Sequence, residues 1–166
     1  MVEKKIKPTI EEIAGRFLDG EKLENFLDFN ESLKQKNLSK SATSTGKNGY
    51  QGWAVRYKDS MICHLRAYKD YWFISYFKSV DINKCDGVVS DELKEFILEN
   101  IVSPLCHSCK GQDNRMILGK KHDKVCGCHL VHLKNPSGQA LEYAKELVVI
   151  NKAIVDDIAE SKTEGK

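Results

Sequence analysis

The sequence predicts an α+β fold, and three observations predict it. Residues 9–36 and 135–158 carry apolar side chains at helical spacing, and residues 50–77 are dense in aromatic and β-branched types broken by two short turns. Between them, residues 104–134 hold two closely spaced cysteine pairs. The expected order is N-terminal helices, a small antiparallel sheet, a helix, a zinc-ribbon-like hairpin and a C-terminal helix. The whole span 1–166 is expected to form one domain with 104–134 as an embedded zinc-binding hairpin.

Thr9-Ile10-Glu11-Glu12 has the form of a capping box, in which side chain and backbone at a helix start satisfy one another. Ile10, Ile13, Ala14, Phe17 and Leu18 follow at helical spacing, with Gly20 as the expected stop. A second helix is expected from Glu21 to Lys36, with Leu23, Phe26, Leu27 and Leu33 inward. The Ser-, Thr-, Gly- and Lys-rich stretch 39–49 is expected to be a loop that could close over the sheet.

Tyr50–Tyr57, Met61–Tyr68 and Tyr71–Phe77 predict a three-stranded meander. A two-residue turn at Lys69-Asp70 pairs Tyr68 with Tyr71, and a three-residue turn at 58–60 pairs Tyr57 with Met61 and Val55 with Cys63. Strand residues alternate between faces. One face then collects Trp53, Val55, Tyr57, Met61, Cys63, Leu65, Ala67, Trp72, Ile74 and Tyr76 as core. The other collects Arg56, Ile62, His64, Arg66, Tyr68, Tyr71, Phe73 and Phe77, which mixes cations with aromatics. Arg56, His64, Arg66, Tyr68 and Phe73 are the candidate ligand-binding residues, since such a mixture suits an anionic, partly planar ligand.

Ser90 is the expected cap of a helix carrying Leu93, Phe96, Ile97 and Ile101, which Pro104 ends. Asn135-Pro136 has the form of an N-cap followed by proline at the first helical position. The last helix carries Leu141, Ala144, Leu147, Val148, Ile154, Val155 and Ile158.

Cys106 and Cys109 form a C-x-x-C, and Cys126 and Cys128 a C-x-C, with sixteen residues between the pairs. Two thiol pairs joined by a short loop supply the four ligands of a tetrahedral zinc, and one Zn²⁺ per chain is expected. Met116 to Leu118 is a candidate strand, Gly119 to Lys121 the turn, and Val125-Cys126 the return. The fourth ligand is a contest among Cys128, His129 and His132. An extended return puts Cys126 and Cys128 on one face and His129 on the other, which favours Cys128. Cys63 is expected in the core, Cys85 as a free thiol in a loop, and His122 in solvent.

The Gly52–Tyr57, Ile62-Cys63 and Tyr71–Ile74 segments, with the C-x-x-C, Gly119-Lys120 and Val125-Cys126 ahead of Asn135-Pro136, resemble a loose group of short, uncharacterised proteins from Gram-positive bacteria. The resemblance covers roughly residues 50–150 and implies a bacterial protein with an aromatic meander followed by a cysteine cluster. It brings no activity with it. The Cys126-Gly127-Cys128 run with two following histidines departs from the group's pattern.

No apolar run approaches the roughly 20 residues needed to span a bilayer, and the polar N-terminus lacks the apolar core of a secretory signal. A cytoplasmic location is expected, where six cysteines indicate metal or free thiols rather than disulfides. Residues 104–135 hold six Lys/Arg against two Asp/Glu, a mildly basic segment once thiolates are counted. H-x-E and H-E-x-x-H are absent, so no catalytic residue is assigned. The leading expectation is a zinc-stabilised module that binds a small molecule or macromolecule, with an anionic small molecule or nucleic acid as partner. The alternatives are an enzyme with an open zinc or reactive thiol, with Glu92 or Asp113 as base, and a metal storage or transfer protein.

Overall fold

A computed structural model describes residues 8–43, 49–77, 81–102, 112–126 and 128–163. The fold is α+β, with four helices, a five-stranded antiparallel sheet and a two-stranded hairpin among the described residues. The short helix α1 (Ile10–Ala14) starts on the expected capping box, with Thr9 Oγ1 accepting from Glu12 N and Glu12 reaching back to Thr9 N. It closes at Gly15, not Gly20. Gly20 instead opens α2 (Gly20–Gln35) with φ +48, a left-handed conformation that glycine adopts without Cβ strain.

The meander is present as β2 (Gln51–Tyr57), β3 (Ser60–Tyr68) and β4 (Tyr71–Phe77), following the short edge strand β1 (Ser39–Ala42). A fifth strand, β7 (His129–Lys134), completes the order β1-β2-β3-β4-β7. Tyr68 pairs with Tyr71 and Val55 with Cys63, as the turn lengths predict. The first turn differs. Tyr57 pairs with Ser60 and Arg56 with Met61, because Lys58 takes φ +50 and closes a two-residue turn. A bulge between Val55 and Arg56 absorbs the extra residue and restores the predicted register beyond it.

The first face of the sheet carries the core, covered by α2 and α4 (Gly138–Thr163). Phe26 of α2 packs edge-on to Trp72 with centroids 5.4 Å apart and against Trp53 at 5.7 Å. Tyr76 donates its hydroxyl to the Ala144 carbonyl of α4, and Lys145 bridges to Asp28 at 2.7 Å, joining the two helices. Cys63 lies fully buried in this core, and burial holds its thiol pKa high.

Helix α3 (Asp91–Glu99) starts at Ser90, whose hydroxyl accepts from Leu93 N, and ends before Ile101. Ile101 instead bridges Val131 on the outer edge of β7. Asn135 does not cap α4. It has φ +44, accepts from Trp72 N through Oδ1 at 2.8 Å and donates its own N–H to Trp72 O at 2.9 Å, clipping the end of β7 to the start of β4. The hairpin β5 (Gln112–Ile117) and β6 (Lys120–Cys126) turns at Leu118-Gly119, both with positive φ, so the turn is tighter than the expected Gly119 to Lys121, and Lys120 and Lys121 already belong to β6. Asn83 of the 3-10 turn Ile82–Cys85 anchors it, donating to Met116 O and accepting from Leu118 N. Cys85, in this turn, is half-buried against the core.

Candidate functional site: a thiol–imidazole cluster beside a cationic sheet face

Cys126 ends β6, Cys128 follows after one residue, and His129 begins β7. The two strands belong to different sheets, so Cys126 to His129 does not form one continuous strand. The alternation expected of one extended segment therefore does not hold, and His129 converges with the thiols instead of pointing away. The ligand atoms of Cys126, Cys128 and His129 all lie within 4.8 Å of one another. The two sulfurs are 4.0 Å apart. A tetrahedral ion with Zn–S bonds of about 2.3 Å would hold its sulfurs about 3.8 Å apart. The cluster therefore fits a metal ion with little rearrangement.

The surroundings hold the cluster in place. Cys126 is fully buried, and its N–H donates to Val102 O, while Val102 N donates to Leu130 O. Residues 100–102 thus lace the end of the hairpin to the outer edge of the sheet. Among the described residues no carboxylate joins the group. Glu92 is exposed in the first turn of α3. His132 does not join it either; its ring packs edge-on to Phe73, centroids 4.2 Å apart, and its buried Nε2 has no hydrogen-bond partner. Cys106 and Cys109 lie outside the described residues, as does the 44–48 part of the expected loop. His122, expected in solvent, is half-buried with its Nε2 enclosed.

The second face of the sheet continues from this cluster. Its cross-strand rows follow from the register. One row runs Ser41, Ala54, His64, Ser75, His132; the next runs Gly52, Arg66, Phe73, Lys134; and Tyr68 opposes Tyr71 beyond it. Small residues form the floor, with Ser75 only 1% exposed. Gly52 has a specific cause: a Cβ there would sit 2.5 Å from Thr43 Oγ1 and 3.5 Å from both Arg66 Cγ and Tyr50 Cε2. Ile62, placed on this face by alternation, is fully buried beside the bulge.

Tyr50, Tyr68 and Tyr71 form a stacked column, with centroids 4.8 Å and 4.7 Å apart. Cations dock on its two ends: Arg66 lies 5.8 Å from the Tyr50 ring and Lys134 4.8 Å from the Tyr71 ring. Phe73 stands edge-on to Tyr68 and Tyr71. No Asp or Glu occupies any of these rows. Among the described residues Arg56, Arg66 and Lys134 make no ion pair.

The electrostatic consequence appears in the histidines. Burial, then Arg66, His129 and Arg56, push the His64 pKa down to about 4. Burial, then Arg66 and His129, push His132 to about 4, and burial with Arg66 lowers His129. All three are neutral at neutral pH, which is the form a metal or an oxyanion site can use as donor or acceptor. Of the predicted ligand residues, the structure brings His64, Arg66, Tyr68 and Phe73 together, while Arg56 lies exposed two rows away in β2. Lys134, Tyr50 and His132 complete the face; the apolar–polar alternation of 129–134 was the available signal for the strand that carries two of them.

A cavity of about 230 Å³ between the 3-10 turn and the hairpin, lined by Asp81, Asn83 and Arg115 among others, contains none of the predicted site residues. No helix among the described residues is long and apolar enough to cross a membrane. Compared with protein-family models, curated proteins and solved structures, the chain matches none.

Proposed function

We propose that this chain is a zinc-stabilised binding module whose ligand surface is the second face of the sheet and whose partner is anionic. The observation that carries it is Arg66. A guanidinium docked on an aromatic column beside two neutral histidines, with no carboxylate partner among the described residues, is charged and held in place. The metal's part is structural. Two thiolates and an imidazole suit zinc, and a thiol from Cys106 or Cys109 closes the shell as Cys₃His, or both close it as Cys₄. Zinc there fixes the hairpin end and the first residue of β7, the strand that carries His132 and Lys134 into the face.

Calorimetric titration with tripolyphosphate tests the anion surface. Binding is expected at low salt, weaker at high salt, and weaker in Arg66→Gln. No binding at low salt would overturn the proposal.

The alternative is an enzyme with an open zinc, favoured by the three donors that converge among the described residues. Cobalt substitution separates the two. A closed shell gives a visible spectrum indifferent to added azide, and an open position gives one that changes.

A further inference from the structure

We infer that the anionic partner is single-stranded nucleic acid, an identification that rests on the sheet-face proposal above. The cations are spread out. Arg66 and Lys134 stand in one cross-strand row on β3 and β7 with Phe73 of β4 between them, so their Cα atoms are about 10 Å apart at the usual strand spacing. Arg56 lies two rows further along β2. A lone phosphate needs donors that converge on one point. Separated cations with aromatic groups between them match a chain of phosphates with bases lying between.

The aromatic geometry adds a restriction. Tyr68 and Tyr71 turn their ring faces to each other, 12° from parallel, so a base cannot insert between them without breaking the column. Bases would meet Phe73, the ring edges and the tyrosine hydroxyls, which favours tolerant contact with unpaired bases over reading of a sequence. Gly52, Ala54 and Ser75 are buried beneath their neighbours, so a strand would meet the part-exposed side chains of Arg66, Tyr68 and Phe73 and the exposed Lys134. Cations spaced along the face suit a chain of phosphates better than one compact anion.

The test is fluorescence anisotropy of labelled oligouridylate with the zinc-loaded full chain, across a series of salt concentrations, with tripolyphosphate as a parallel probe. Three phosphate contacts predict a log–log salt slope of about −2, since each contact on a single strand contributes about −0.7. Arg66→Gln and Lys134→Gln should each weaken binding about tenfold and each reduce the slope by about 0.7. Arg66→Lys, with the same charge, should retain the slope, which separates loss of a contact from loss of folding; circular dichroism melts verify each variant. Tripolyphosphate binding that depends on Arg66, without oligonucleotide binding, would overturn this inference and leave the anion surface standing. Binding of neither probe would overturn both. Oligonucleotide binding unaffected at Arg66 and Lys134 but abolished by glutamines at Lys120, Lys121 and Lys124 would place the nucleic acid on the hairpin and overturn the inference.

Discussion

Arg66 reaches back along β3 to His64, with its Nη2 3.3 Å from His64 Nδ1. A guanidinium has only donors, so Nδ1 is the acceptor and the His64 proton sits on Nε2. The pair therefore requires a neutral imidazole, in agreement with a His64 pKa lowered to about 4 by burial and by Arg66. One contact thus fixes the histidine tautomer and holds the guanidinium along the sheet face.

The first prediction is a pH window. In the unfolded chain His64 and His132 protonate near 6.5, and in the folded chain only near 4. The unfolded state binds more protons between these values, so stability falls as pH drops from about 6.5 to about 4 and levels off below. Solvent screening limits the loss to about 1 kcal/mol per histidine. NMR titration should place His64 near 4 in the wild type and move it upward in Arg66→Gln. An unchanged value in that variant would remove Arg66 as a cause.

The second prediction concerns Gly52. Gly52→Ala should cost about 1–2 kcal/mol by overpacking against Thr43. Thr43→Ala removes the clashing oxygen, so the double variant should recover most of the loss. Additive effects in chemical denaturation would mean that Thr43 is not the obstacle.

The third prediction concerns the clip between β4 and β7. Asn135→Ala loses the bond to Trp72 N and keeps a side chain at φ +44, while Asn135→Gly loses the bond without the strain. Alanine should cost about 2 kcal/mol and glycine about 1 kcal/mol. Equal losses would place the whole effect in the hydrogen bond.

The fourth prediction concerns the metal. Protein purified without added metal should hold about one zinc per chain, and Cys126→Ser should hold far less, whereas Cys85→Ser should be unchanged. Chelation should raise hydrogen exchange in β5, β6 and the first residues of β7, and leave β2 to β4 protected by their own core. Loss of protection throughout β2 to β4 would show that the metal supports the whole fold.

What the sequence revealed follows from where its pattern was strong. The meander residues Trp53, Val55, Leu65, Trp72 and Ile74 are β-formers at strict alternation, so strands, faces and most of the register were legible. Ser39–Ala42 is a strand only because β2 offers it a backbone partner; its small polar residues and Lys40 suit an edge, and nothing in them signals a strand. His129–Lys134 was obscured differently. Its histidines are also candidate metal ligands, while Leu130, Val131 and Leu133 carry the strand signal. The convergence of His129 with Cys126 and Cys128 depends on β6 and β7 belonging to different sheets, which alternation along one segment does not reveal.

The most direct test of the binding surface is a two-dimensional amide NMR titration of the zinc-loaded protein with tripolyphosphate at low salt. The account predicts shifts concentrated at Gly52, His64, Arg66, Phe73, His132 and Lys134, with the Lys120–Lys124 hairpin quiet. Shifts confined to that hairpin, or none at all, would contradict it.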